Sequence, residues 1–91
     1  MNMAERSFEM TFRRGRVLAA YLHLPRRAGQ RCARSRPIED GIVVDLARDG
    51  QPLGIEIVSP SKITAAAINR VLRGLGLPPM RRGEIPRVSS R

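Results

Sequence analysis

The sequence is poor in the residues that build disulfides, metal sites and aromatic stacking surfaces. It has one cysteine, one histidine, one tyrosine, two phenylalanines and no tryptophan in 91 residues. A single cysteine excludes an internal disulfide and a cysteine-based zinc site, so we expect a reducing, cytoplasmic setting and no cofactor. No apolar run approaches the ~20 residues that span a bilayer. Because Met1–Met10 has two glutamates and no apolar core, we expect neither a membrane segment nor a signal peptide.

Cations outnumber acids by a wide margin. Seventeen Lys plus Arg against eight Asp plus Glu give a net charge of +9, and Lys62 is the only lysine. The segment Gly41–Pro60 is acidic, whereas the segments on both sides of it are basic. This balance is compatible with nucleic acid, with an acidic partner or with plain solubility. The length predicts one small domain over residues 1–77, followed by a basic flexible tail over residues 78–91.

The clearest local pattern is a β-hairpin around Asp49-Gly50. This dipeptide favours a two-residue type I′ turn, which needs φ > 0 at both positions. A turn there places apolar residues opposite one another, with sequence numbers that sum to 99. The predicted pairs are Ile42 with Ile57, Val44 with Ile55, Leu46 with Leu53, and Ala47 with Pro52. A shift by one residue would mix the two faces, so the pattern specifies the register.

Three further segments alternate in the manner of strands. They are Phe8–Phe12, Val17–Leu24 and, more weakly, Arg31–Pro37. Consecutive strands with short connections predict an antiparallel meander of four or five strands. In the third segment, parity predicts that Arg34 points outward and Ser35 inward. If Pro37 pairs with Ile42, then Arg34 falls opposite Asp45.

After Val58 the apolar period changes to that of a helix. Ser59-Pro60 offers an N-cap followed by proline at the first helical position. Gly74 or Gly76 and then Pro78-Pro79 end the helix. One apolar stripe runs along it, made of Ile63, Ala67, Ile68, Val71, Leu72 and Leu75. Because this stripe and the apolar hairpin face each need a cover, we predict an α+β fold, an antiparallel β-meander with one C-terminal helix packed on one face.

One group of segments resembles the bacterial domain of unknown function 2283. The segments are Ile38–Asp45, Asp49-Gly50, Leu53–Ile57 and Ser61-Lys62. The resemblance extends from about Thr11 to Ile63, with Tyr21–Leu24 in the place of an aromatic strand. It implies a small β-meander with a C-terminal helix and a cytoplasmic bacterial origin, but no activity and no functional residue. The turn before the aromatic strand is usually acidic in that family. Here it is Arg13–Arg16, so a binding role of an acidic turn would be lost or inverted.

The sequence favours a non-enzymatic protein. Asp45 and Glu56 share the outer sheet face as diagonal neighbours and could act as acid and base or hold a metal. An arginine opposite Asp45 would instead make an ordinary ion pair. His23, on the same face beside Tyr21, has no nucleophile placed next to it, and Cys32 is interpreted as an ordinary thiol. No glycine pattern matches a phosphate-binding loop.

Arginines in the loops and the tail are the best candidates for contact with a partner. They are Arg13, Arg14, Arg16, Arg26, Arg27, Arg81 and Arg82. If they converge, they predict salt-sensitive, sequence-neutral nucleic-acid binding, although no base-reading motif is present. A thin core and two open sheet edges favour a different function, self-association or binding of a protein partner. We expect an interaction module that forms a homo-oligomer or binds a protein, with nucleic-acid binding as the alternative.

Overall fold

A computed structural model describes residues 6–58 and 63–81. Five strands form one antiparallel sheet in the order β1-β2-β5-β4-β3, and one helix follows them. The elements are β1 (Ser7–Arg13), β2 (Arg16–His23), β3 (Arg34–Glu39), β4 (Ile42–Leu46), β5 (Pro52–Ile57) and α1 (Ala65–Gly74). The predicted α+β class, with one antiparallel sheet and one C-terminal helix, is confirmed.

The strand order differs from that of a simple meander, because β2 pairs with β5 and not with β3. The connection over residues 24–33 carries the chain past β5 and β4 to the far edge of the sheet. At ~4.8 Å per strand this crossing spans only ~14 Å, which is well within the reach of the connection. The arrangement of β2 to β5 is a Greek key. It places the apolar β5 in the middle of the sheet and the polar β3 at an edge.

The hairpin of β4 and β5 has the predicted register over most of its length. The confirmed pairs are Ile42 with Ile57 and Val44 with Ile55. These four side chains are buried. Alternation of apolar residues therefore fixed the register here, since a slip would have exposed all four.

The turn of this hairpin differs from the predicted type I′ turn. Gly50 has φ +91° but Asp49 does not have positive φ, and the Gly50 N–H donates to the Ala47 carbonyl at 2.9 Å. This is a three-residue loop with a glycine bulge, which adds one residue to the connection. The register consequently shifts after Asp45, so Leu46 pairs with Pro52. The predicted pairs of Leu46 and of Pro52 are therefore wrong.

Strand β3 lies one residue out of the predicted register. Glu39 pairs with Ile42, the partner predicted for Pro37, and the ladder is irregular between Pro37 and Glu39. Ser35, and not an arginine, therefore lies opposite Asp45. Since opposite residues share a face, Ser35 lies on the outer face and the arginines of β3 lie on the helix side, at the exposed edge. The predicted orientation was wrong because one irregularity reverses the two faces of a weakly patterned strand.

Helix α1 begins at Ala65. The Thr64 side chain is its N-cap and accepts a hydrogen bond from the Ala67 N–H at 3.1 Å. This satisfies one of the backbone donors that a helix leaves free at its first turn. The predicted N-cap and proline, Ser59-Pro60, lie outside the described residues.

The helix ends in a Schellman motif and lies over the sheet. Gly76 has φ +76°, and the Leu77 N–H donates to the Leu72 carbonyl at 2.9 Å, as the motif requires. The predicted apolar stripe faces the sheet, with Ile68, Val71 and Leu72 buried. The core therefore lies between one helix and one face of the sheet.

The residues that follow the helix pack against it. Met80 is 6% exposed, and its backbone N–H donates to the Asn69 side chain at 2.7 Å. The Arg6 guanidinium donates to the carbonyls of Pro78 and Pro79. The segment predicted as a tail from residue 78 therefore begins with residues that are anchored on the domain, while residues 82–91 lie outside the described part of the chain.

Candidate functional site

The face of the sheet opposite α1 carries a polar network centred on Asp45. The Tyr21 hydroxyl donates to Asp45 Oδ2 at 2.8 Å, and the Ser35 hydroxyl donates to Asp45 Oδ1 at 2.6 Å. Two hydroxyls thus take the place of the arginine that we predicted opposite Asp45. Glu56 is a diagonal neighbour of Asp45, as predicted. A carboxylate held by two donors suits a structural role better than that of a proton acceptor or metal ligand.

Tyr21 reaches Asp45 across β5 because Gly54 leaves room for it. Gly54 pairs with Asp45, and a Cβ at Gly54 would overlap the Tyr21 ring and hydroxyl. Burial, together with the hydrogen bond to the Asp45 carboxylate, raises the pKa of Tyr21 to about 12. This contact was not predicted from the sequence. A glycine inside a strand, opposite a carboxylate, is the pattern that could have indicated it.

His23 lies beside Tyr21 on the same outer face, as predicted. Its Nε2 lies 2.8 Å from Glu9 Oε1 on β1, and its ring centroid is 4.7 Å from that of Tyr21 in an edge-on arrangement. Glu9, His23, Tyr21 and Asp45 therefore link β1, β2 and β4 across the outer face. Each of these four side chains therefore has a polar partner within the sheet, and the contacts stabilise the outer face.

Three of the predicted arginines form what we call the tip cluster: Arg13, Arg14 and Arg16. They lie at the turn between β1 and β2, where Arg14 has φ 53° and Gly15 has φ 76°. Two consecutive positive values are those of a type I′ turn, so this geometry occurs here and not at Asp49-Gly50. The side chains of the tip cluster surround a shallow open depression together with Leu18.

Two more predicted arginines, Arg26 and Arg27, form the loop cluster after β2. Arg26 Nη2 donates to the Leu53 carbonyl at 3.2 Å, and Arg27 Nη2 lies 3.8 Å from Asp49 Oδ2. Because β2 runs from the tip cluster to the loop cluster, its eight residues separate the two by ~26 Å. The predicted arginines therefore do not all converge within one chain. Arg81 follows the buried Met80, and Arg82 lies outside the described residues.

Cys32 lies in the connection between β2 and β3, beside an open depression lined by Arg31 and Arg48 among others. The thiol is exposed and donates to the Arg34 carbonyl at 3.4 Å. Among the described residues, no three His, Cys, Asp or Glu side chains group in a way that could hold a metal ion.

The two edges of the sheet differ in how open they are to another strand. At one edge, β3 contains Pro37 and an irregular register, and both features oppose the addition of a strand. At the other edge, β1 contains no proline, and the irregularity of its pairing places the extra residue, Leu18, in β2. Within the described residues no strand pairs with the outer side of β1. We call this the β1 edge.

These features define a small α+β domain with an open sheet edge beside a cluster of arginines. Residues 19–61 match the family model described as "Protein of unknown function (DUF2283)", so the resemblance to this family is confirmed for that segment. The match is narrower than the resemblance from Thr11 to Ile63, and it leaves out β1, the tip cluster and α1. No curated protein and no solved structure matches the chain. Within the described residues, no helix has the length and apolar character needed to cross a membrane.

Proposed function

We propose that the protein is a non-enzymatic interaction module, which self-associates by pairing the β1 edge with the β1 edge of a second copy. The observation that supports this is the open, regular β1 edge with Phe12 beside it. Phe12 is 61% exposed, although phenylalanine is one of the most apolar side chains of the domain. A second β1 strand would satisfy the free backbone groups of this edge and cover the ring.

The length and pattern of β1 suit an antiparallel pair with its two-fold axis at Met10. All seven residues of β1 then pair, and Phe12 lies opposite the partner's Phe8. Phe8 is half-buried and already packs against the core, so the pair extends the core across the interface. An aromatic pair of this kind contributes about 0.5–1.5 kcal/mol beyond the area it buries.

The charges of β1 are complementary in this register. Arg13 lies opposite the partner's Ser7 and is a diagonal neighbour of the partner's Glu9, on the same face of the strand pair. The two-fold symmetry repeats this contact, so the interface holds two such pairs. A register two residues away would place Glu9 opposite the partner's Glu9, and like charges at that position oppose pairing.

Two further features support a non-enzymatic function and a cytoplasmic location. The Asp45 carboxylate accepts two hydroxyl hydrogen bonds within the sheet, and this structural role for the residue supports a non-enzymatic function. The exposed thiol of Cys32 suits a reducing compartment, so we propose a cytoplasmic location.

The test compares the mass of the wild-type chain with that of Phe12→Ser and Val58→Ser by light scattering and sedimentation at micromolar concentration. Val58 is 49% exposed but lies at the end of β5, away from the β1 edge, so it is the matched control. We expect a wild-type dimer, an unchanged dimer for Val58→Ser, and a dissociation constant raised roughly 10-fold for Phe12→Ser. A wild-type monomer, or equal effects of the two substitutions, would contradict the proposal.

A further inference from the structure

The two arginine clusters lie at opposite ends of β2 in one chain, but antiparallel pairing of β1 brings them to the same end of the joined sheet. We infer that the β1-paired dimer binds the phosphate backbone of duplex nucleic acid through a row of arginines contributed by both copies. This inference rests on the proposed pairing. It assigns to the dimer a binding surface that a single copy lacks.

The placement follows from the register. In the pair centred on Met10, Arg13 lies opposite the partner's Ser7, and Ser7 pairs with His23 within each copy. The chain continues from the partner's His23 directly into the loop that holds the partner's Arg26 and the partner's Arg27. The tip cluster of one copy and the loop cluster of the other therefore share one end of the joined sheet.

The distances along this end suit contact with several phosphates. Arg26 reaches the Leu53 carbonyl at the start of β5, so the partner's Arg26 lies about three strands from Arg13. At ~4.8 Å per strand this is ~14 Å. Arg27 Nη2 lies 3.8 Å from Asp49 Oδ2 and donates to Gln51 Oε1 at 3.4 Å. Both contacts are long and exposed, so the guanidinium of the partner's Arg27 keeps donors for an anion. Five arginines thus form a row at each end of the dimer.

The side chains of the row fit phosphate better than they fit bases. Residues 10–38 include no Asp or Glu and hold every member of both clusters. The acids beside the row are Asp49, 3.8 Å from Arg27, and the partner's Glu9, diagonal to Arg13, so its five arginines leave an excess of positive charge. The guanidinium group binds a phosphate oxygen pair with two parallel hydrogen bonds. Aromatic side chains that would stack on single-stranded bases are nearly absent, which favours a duplex bound without regard to sequence.

Dimerisation and duplex binding should assist each other. The row brings the tip cluster of one copy close to the loop cluster of the other, and repulsion between them opposes pairing of the β1 edges. A bound duplex neutralises the row and removes that repulsion. By linkage, the duplex therefore tightens the dimer, and the dimer tightens the duplex complex by the same factor.

The first experiment measures anisotropy of a labelled DNA duplex of arbitrary sequence over a range of salt concentrations, with the mass of the same samples determined by light scattering. Five phosphate contacts give a slope of about −4.5 in a plot of log affinity against log salt, whereas the tip cluster alone gives about −2.7. We expect the steeper slope for the wild type and for Val58→Ser, and the shallower slope for Phe12→Ser.

The second experiment tests whether the row is shared between copies. One variant, Arg14→Gln with Arg16→Gln, weakens the tip cluster and spares Arg13 at the interface. The other, Arg26→Gln with Arg27→Gln, removes the loop cluster. Each homodimer then has two incomplete rows, but a mixed dimer has one complete row. We expect each variant alone to bind the duplex at least 10-fold more weakly, and about half of the dimers in the re-equilibrated mixture to bind with wild-type affinity and slope.

The outcomes separate this inference from the proposed function. A wild-type dimer that does not bind the duplex, or a mixture that recovers no binding, overturns the inference and leaves the proposed self-association intact. A wild-type monomer that binds with the shallower slope overturns both. Binding without loss of affinity as salt is raised also overturns the inference, because phosphate contacts must weaken with salt.

Discussion

At the scale of single residues, the contacts on the outer face of the sheet depend on a glycine, Gly54, which has no side chain. Gly54 sits in β5 between Tyr21 on β2 and Asp45 on β4, and a larger residue there would displace the tyrosine. The tyrosine ring therefore lies over Gly54, and its hydroxyl donates to the Asp45 carboxylate two strands away. That contact changes the acidity of Tyr21, and this change can be measured.

Titration of Tyr21 tests the hydrogen bond to Asp45. Burial and the carboxylate raise the pKa of Tyr21 to about 12, and it is the only tyrosine of a chain without tryptophan, so the ultraviolet signal of tyrosinate belongs to it alone. Because the folded state holds the proton more tightly than the unfolded state, this contribution to stability is complete below about pH 10 and is lost as the pH rises from 10 to 12.

We expect Asp45→Asn to lower the pKa of Tyr21 but to keep it above the ordinary value, since burial remains the largest cause of the shift. Glu56→Gln is the matched control, because Glu56 shares the same face without contributing to the shift. An equal pKa in wild type and Asp45→Asn would show that the hydrogen bond is not formed in solution.

Substitution of Gly54 by alanine tests the same contact from the other side. The added Cβ would force Tyr21 away from Asp45, so we expect a loss of about 1 kcal/mol in the free energy of unfolding, together with a lower pKa of Tyr21. Urea denaturation gives the first quantity. Gly74→Ala is the control, because an added Cβ there meets open space at the end of the helix, and we expect it to be neutral or stabilising.

At the scale of elements, α1 is held to the sheet by its apolar stripe and by one ion pair. Arg70 Nε lies 2.7 Å from Glu39 Oε2, and Arg70 Nη2 lies 2.9 Å from Glu39 Oε1. This two-bond contact joins the helix to the end of β3. A helix of ten residues is marginal on its own, so such contacts with the sheet determine whether it forms.

The ion pair predicts a pH dependence of stability. The hydrogen bonds from Arg70 lower the pKa of Glu39 below its ordinary value. The contribution is therefore present above the pKa of an unfolded glutamate and is lost as the pH falls through the lower, folded value. We expect Arg70→Gln to reduce the thermal midpoint at neutral pH and to have a smaller effect in acid. Arg73→Gln is the control, because it is an exposed arginine of the same helix.

At the scale of the whole molecule, one helix covers one face of a five-stranded sheet, so the core is a single thin layer. Domains of this size gain little from burial beyond the entropy cost of folding, and association is one way to add buried surface. Within the described part of the chain, the β1 edge can bury further surface by pairing with a second copy while the rest of the fold stays as it is. The same association would join arginines that a single copy keeps apart.

Exchange of the charges on β1 tests the register of the proposed pair. We expect Glu9→Arg or Arg13→Glu alone to raise the dissociation constant of the dimer several-fold, because each places like charges across the interface. The double variant restores opposite charges and should return the constant toward that of the wild type. Sedimentation equilibrium measures the three constants. Additive losses in the double variant would show that the two side chains do not meet across the interface.

Local patterns of apolar residues were enough to predict the elements in which those patterns are strong. Alternation over Ile42–Asp45 and Ile55–Ile57 fixed both the strands and their pairing, and the helical period after Ile63 fixed the buried face of α1. In both places a slip by one residue would expose apolar side chains, so the free energy of burial selects one arrangement. Much of the fold was therefore predictable.

Assembly of the whole sheet determines the strand order, which side chains of β3 lie on each face, and the contact between Tyr21 and Asp45. A polar strand such as β3 gains little burial energy whichever of its faces is turned toward the core. An irregularity near Pro37 could therefore exchange the two faces of this strand at little cost in free energy. The placement of β5 beside β2 depends on which strands bury the most surface together, and no local pattern records that. Tyr21 and Asp45 meet because this order puts Gly54 between them, and contacts across an intervening strand exist only once the sheet has formed.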